Sequence, residues 1–101
     1  MKVCLVQSGG FVGAIRRCEV DTTTLEAPEA ETVRRLVEES GLRQSGQALS
    51  DQAADLKQYE LTIEDETRAI CLTFDDHNVP QSARQLLGYL QKRAMPGKKT
   101  L

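Results

Sequence analysis

The sequence predicts an α+β fold: a four-stranded antiparallel sheet in the order strand, strand, helix, strand, strand, helix, with both helices packed on one face. Three observations predict it. Residues 57–64, KQYELTIE, and 68–74, RAICLTF, alternate apolar and polar side chains with the period of a half-buried strand. Residues 28–40 and 80–93 repeat apolar side chains at helical spacing, and each run opens on a proline. The chain begins with two strand-like runs, 1–7 and 14–20, separated by the glycine-rich stretch SGGFVG.

In the first run Val3 and Leu5 share one face while Cys4 and Val6 share the other, so both faces have apolar side chains to cover. The second run, AIRRCEV, is its antiparallel partner. The connection between them, Ser8 to Gly13, is longer than the two-residue loops that merely reverse a chain. In the first helix Pro28 suits the first turn, Glu29 and Glu31 suit its positive end, and Gly41 suits a left-handed C-terminal cap. Ala30, Val33, Leu36 and Val37 form its apolar stripe, with Arg34, Arg35, Glu38 and Glu39 towards solvent.

Residues 42–56 are rich in Gln, Ser, Ala and Asp with weak periodicity, and read as a mobile connection with a helical turn near Asp51 to Leu56. The hairpin that follows turns Tyr59, Leu61 and Ile63 inward on one strand and Ile70, Leu72 and Phe74 on the other, around the short turn Asp65 to Thr67. Asp75 and Asp76 read as groups that cap or charge the start of the last helix. That helix has the stripe Ala83, Leu86, Leu87 and Leu90, with Arg84, Lys92 and Arg93 towards water. Residues 1–93 then make a single domain, and residues 94–101 a flexible C-terminal tail that frays.

Composition narrows the function. A chain of 101 residues supports one core but not also a deep substrate cleft with its own scaffold, which favours a binding module over an enzyme. With 40% hydrophobic and 28% charged residues and a formal net charge of −2, it has an ordinary balance and no electrostatic footprint for nucleic acid. The first residues carry one lysine and an apolar run shorter than a secretory core, and no segment approaches the roughly 18 apolar residues of a membrane span. The expectation is a cytoplasmic protein without membrane contact. Cys4, Cys18 and Cys71 are widely spaced, lack a CxxC pairing and suit a reducing compartment; they read as small strand side chains, with metal ligation or nucleophilic catalysis as the other reading. His77, in FDDHNVP, reads as part of a polar connection.

SGGFVG matches neither the dinucleotide fingerprint nor the phosphate loop ending in GK[ST], and it leads into a strand instead of a helix N-terminus. No HExxH, no carboxylate pair in apolar surroundings and no serine elbow occurs in the chain. The chain therefore reads as a non-enzyme, with Arg16 and Arg17 holding a phosphate as the other reading of the loop. Two readings of Phe11 remain: a loop aromatic folded back as a lid on the sheet, or an anchor that fills an apolar pocket on a partner.

Taken in order, KVCLVQSGGFVGAIRRCEVDTTTL, the helix PEAETVRRLVEES, the hairpin YELTIEDETRAICLTFDD and VPQSARQLLGYL resemble the emfourin family, small bacterial inhibitors of protealysin and related thermolysin-like zinc metalloproteases. The resemblance runs from about Lys2 to Leu90 and is most specific in V.SGGF.G. The turn EDET departs from it, since a glycine turn is common there. The resemblance implies a protein inhibitor, monomeric when free and without a cofactor, whose partner is a thermolysin-like zinc metalloprotease carrying its own zinc. In that reading Ser8, Gly9, Gly10, Phe11, Val12, Gly13 and Arg16 make the partner-binding site. Phe11 enters the apolar subsite with Ser8 and Val12 alongside, the glycines let the backbone approach closely, and Arg16 or Arg17 reaches acidic groups at the rim. The alternative is a non-catalytic interaction module with a non-protease partner.

Overall fold

A computed structural model describes residues 1–9, 15–51 and 56–96. Strand β1 (Lys2–Gly9) lies inside the sheet, antiparallel to both β2 (Arg16–Asp21) and β4 (Lys57–Glu64), and β4 continues into β5 (Ala69–Asp75). Register explains the core. Val3 stands opposite Val20 and Ile63, Leu5 opposite Cys18 and Leu61, and Tyr59 opposite Phe74, so alternating apolar positions of four strands fall on one face. The Tyr59 and Phe74 rings meet at 5.6 Å between centroids.

Helices α1 (Ala27–Ser40) and α2 (Arg84–Arg93) cover that face. Ala30, Val33, Leu36 and Val37 of α1 and Ala83, Leu86, Leu87 and Leu90 at α2 are all buried, as their spacing predicts. Pro28 lies in the first turn of α1, and Gly41 ends it at φ +67°, where its N–H donates to the Glu38 carbonyl. The second helix starts more tightly than expected: Pro80 precedes a 3₁₀ turn over Gln81–Ala83, and α-geometry begins only at Arg84. Ser82 Oγ donates to the Ser40 carbonyl at 2.8 Å and joins the end of α1 to that turn.

The expectation of four antiparallel strands needs correction, because the sheet is mixed and has two further edge strands. Its order is β3-β5-β4-β1-β2-β6, with β3 (Gly46–Ala48) parallel to β5 and β6 (Met95–Pro96) antiparallel to β2. Every side chain of β3 is exposed, so no apolar alternation marks it. Backbone pairing holds it, helped by Ser45 Oγ, which accepts the Cys71 N–H at 3.0 Å. Part of the expected mobile connection is thus strand, and residues 52–55 of its expected helical turn lie outside the described residues. At the other edge Ala94 is buried and Met95–Pro96 pair with Arg17 and Arg16, so the chain stays on the sheet to Pro96.

Two local expectations also change. Among the described residues only one face of β1 is covered: Cys4 and Val6 are half-buried on the other, where Glu19, Arg17 and Glu60 are among their cross-strand neighbours. Asp75 and Asp76 do not cap α2. Asp75 is fully buried and accepts from the backbone N–H groups of Ser50 and His77 and from Asn78 Nδ2, while Asp76 accepts from the Tyr59 hydroxyl.

The glycine-free turn EDET closes through Asp65, whose Oδ1 accepts the N–H groups of Thr67 and Arg68 at 2.8 and 2.9 Å. An aspartate turn supplies by side-chain hydrogen bonding what glycine supplies by backbone freedom. Arg68 then bridges from Asp65 to Glu38 and to the Leu42 carbonyl, tying the hairpin turn to the end of α1.

Candidate functional site

The glycine loop leaves the sheet between two strands that are themselves held on every side. Gln7 of β1 pairs with Arg16 of β2, and on the other side Ser8 and Gly9 pair with Gln58 and Lys57 of β4. Ser8 and Gly9 are half-buried, and Gly9 sits at φ +87°, in the left-handed region that glycine enters without a steric penalty. A Cβ built on Gly9 would stand 2.6 Å from the Leu56 carbonyl oxygen, so the chain there passes closer to β4 than any side chain permits. Gly10, Phe11, Val12 and Gly13 lie outside the described residues.

The elements beneath the loop root brace it. Gln91 of α2 donates through Nε2 to Gln7 Oε1 at 3.2 Å, and Arg16 Nη2 donates to the Ala94 carbonyl just past α2 at 2.9 Å. The two bonds span 84 and 78 residues of sequence. Arg16 thus directs one guanidinium nitrogen inward although its residue is exposed, and Arg17 turns to Glu19 at 3.0 Å. Next to Gln7 on the buried face lies Tyr59, whose pKa is pushed up to about 12 by burial first and by its bond to Asp76 second. Tyr59 therefore remains a neutral donor at physiological pH, and the Asp76 N–H in turn donates to the carbonyl of Lys57, the partner of Gly9.

On the open face the root borders a shallow hollow of about 260 Å³ whose lining includes Val6, Ser8, Ile15, Gln58, Glu60 and Thr73. Val6 and Ile15 give it an apolar part, and Ser8, Gln58, Glu60 and Thr73 a polar one. Of the site residues that the sequence suggests, Ser8, Gly9 and Arg16 thus meet at one end of the sheet. The residues sequence reasoning missed are the braces, Gln7, Gln91 and Tyr59. Each is an ordinary strand or helix residue, and only the contact across the whole chain gives it a role.

The described residues include Cys4, Cys18, Cys71 and His77. No group of three or more His, Cys, Asp or Glu side chains among them is placed to hold a metal ion. Burial pushes the thiol pKa values of Cys4 and Cys18 up, away from the thiolate a nucleophile or ligand requires. No helix among them is long and apolar enough to cross a membrane.

One family model, Emfourin, matches residues 5–91, a span that runs from the middle of β1 through the glycine loop and most of α2. No curated protein and no solved structure matches the chain.

Proposed function

The chain belongs to the emfourin family, and we propose that it inhibits a thermolysin-like zinc metalloprotease by placing the loop Ser8 to Gly13 in the active-site cleft. The observation that carries the reading is the family match across residues 5–91, because the family is one of inhibitors and the match includes the loop. The geometry of the loop root supports it. A loop anchored on β1, β2 and β4 and braced by Gln91 and Ala94 has less freedom to lose on binding than a free peptide, and preorganisation of that kind raises affinity.

In this reading Phe11 fills the protease's apolar subsite, Ser8 and Val12 lie alongside, and Gly9, Gly10 and Gly13 admit close backbone approach. Arg16 stands at the rim. The chain acts as a monomer, brings no cofactor and performs no chemistry; the zinc is the target's.

The test is a titration of the purified protein against such a protease with a small fluorogenic peptide. Stoichiometric loss of activity is expected, and Phe11→Ala and Gly10→Pro should each raise the inhibition constant about tenfold or more, the size of a lost interface anchor. Unchanged inhibition in both variants would overturn the loop assignment. No inhibition of several such proteases would leave an interaction module with a different partner.

A further inference from the structure

The two arms of the glycine loop are held by different neighbours. The entry arm, Ser8 and Gly9, runs past the end of the β1–β2 pairing and is paired with Gln58 and Lys57 of β4. The exit arm, Arg16 and Arg17, pairs on one side with Gln7 and Val6 of β1 and on the other with Pro96 and Met95 of β6. Without β6 the exit arm would be a sheet edge, held from one side. The chain reaches that place with no linker: α2 ends at Arg93, Ala94 follows in extended geometry at φ −69° and ψ 137°, and β6 begins at the next residue.

Two contacts seat residues 94–96 besides the ladder itself. Ala94 belongs to the buried core, and its carbonyl accepts from Arg16 Nη2 at 2.9 Å. Met95 is 69% exposed, so its side chain adds little, and Pro96 brings no N–H to the ladder. A two-residue pairing of that kind is weak alone, whereas a hydrogen bond from a charged donor is about twice as strong as a neutral one. Arg16 therefore supplies an anchor that residues 94–96 lack. A cation also suits the spot, because the C-terminal end of α2 carries the negative pole of the helix. Its neighbour Arg17 is engaged elsewhere, with Glu19 at 3.0 Å.

We propose that residues 94–96 are a strap that fixes the exit arm of the loop, and that Arg16 is its positioning residue, directing its guanidinium to Ala94 instead of to acidic groups on the partner. The strap lies beyond the family match, which ends at residue 91. An arm already fixed has less conformational entropy to lose when the loop docks, so freeing it weakens binding without removing a contact to the partner. The effect on affinity rests on the reading of Ser8 to Gly13 as the inhibitory loop; the hold on the arm does not.

The test is a double-mutant cycle on the full chain with Arg16→Ala and Met95→Pro, which both alter exposed side chains. Met95→Pro removes an N–H from the ladder, and the extended geometry of Ala94 admits a following proline. Amide hydrogen exchange on the free chain reads the arm without a protease. At Arg16 and Arg17 it should quicken about tenfold in either variant, while Lys57 and Gln58 opposite the entry arm keep their parent rates. In the protease titration each variant should raise the inhibition constant about tenfold, and the double variant no more than about twofold further, because both release the same strap. The Arg16→Ala effect should not change with salt, since no charge pair to the partner is lost. A rise of about a hundredfold in the double variant, or an Arg16→Ala effect that fades with salt, would make Arg16 a partner contact and overturn the proposal. So would parent exchange rates at Arg16 and Arg17 in Met95→Pro, the mark of an arm that holds itself. Failure of the parent protein to inhibit would remove the inhibitor reading alone, and the exchange rates would still decide the strap.

Discussion

Replacing Gly9 by alanine should lower the stability of the fold by about 2–3 kcal/mol, a large effect for one methyl group. Two costs add. At φ +87° an L-residue is strained whatever the surrounding space, and here the space is also taken by the Leu56 carbonyl oxygen at 2.6 Å from the new Cβ. That oxygen is backbone, and it cannot swing aside as the end of a lysine could. Relief requires pulling the beginning of β4 away from β1, which opens the Gly9–Lys57 pair at the root of the loop. The proposed inhibition should therefore suffer beyond the loss of folded protein, with the inhibition constant rising at least tenfold when measured well below the melting transition. Chemical denaturation and the protease titration read the two effects separately. A stability change under about 0.5 kcal/mol would mean that β4 yields easily, and the argument from a preorganised loop would fall with it.

How far that argument was legible in the sequence depends on the length scale of each contact. The hairpin was legible because Tyr59, Leu61 and Ile63 alternate against Ile70, Leu72 and Phe74, and burial of one face makes a slipped register costly. Both helical stripes were legible for the same reason, since each must face the sheet. Gly46–Ala48 was not, because an exposed edge strand is held by main-chain bonds that any sequence can make. Met95–Pro96 is too short for any period to show. Cys4 and Val6 misled in the opposite sense: no second layer covers their face among the described residues, and apolar side chains on an antiparallel sheet do not by themselves bring one.

The candidate site divides in the same way. SGGFVG marks a special loop from composition alone, yet the close approach of Gly9 to the Leu56 carbonyl is a contact across the fold that no local pattern announces. Gln7 and Gln91 form one bond 84 residues apart, and neither has a local pattern that announces it. Asp75 and Asp76 show the competition most clearly. Adjacent acids before a helix suit its positive end, but three donors around Asp75 and the hydroxyl of Tyr59 beside Asp76 offer specific bonds in place of a diffuse field.

Asp75→Asn tests that competition, and it should lower the melting temperature by about 10 °C near neutral pH. The carboxylate accepts from Ser50 on one oxygen and from His77 and Asn78 on the other, whereas an amide presents a donor on one of those sides and leaves at least one buried N–H opposed. The pH dependence gives the sign. The backbone N–H of Ser50 leads the interactions that hold the Asp75 pKa down to about 2, below its ordinary value of 3.8. Stability contributed by the ionised group is therefore full above about pH 4 and is lost as pH falls through the folded value near 2. The gap between the parent and Asp75→Asn should stay constant from neutrality to about pH 4 and narrow below it. A gap that instead closed near pH 6 would assign the effect to another group. Because the Asp76 N–H donates to Lys57, the partner of Gly9, the same substitution loosens the loop root at one remove. Its effect on inhibition should accordingly be smaller than that of Gly9→Ala, even where its effect on melting is comparable.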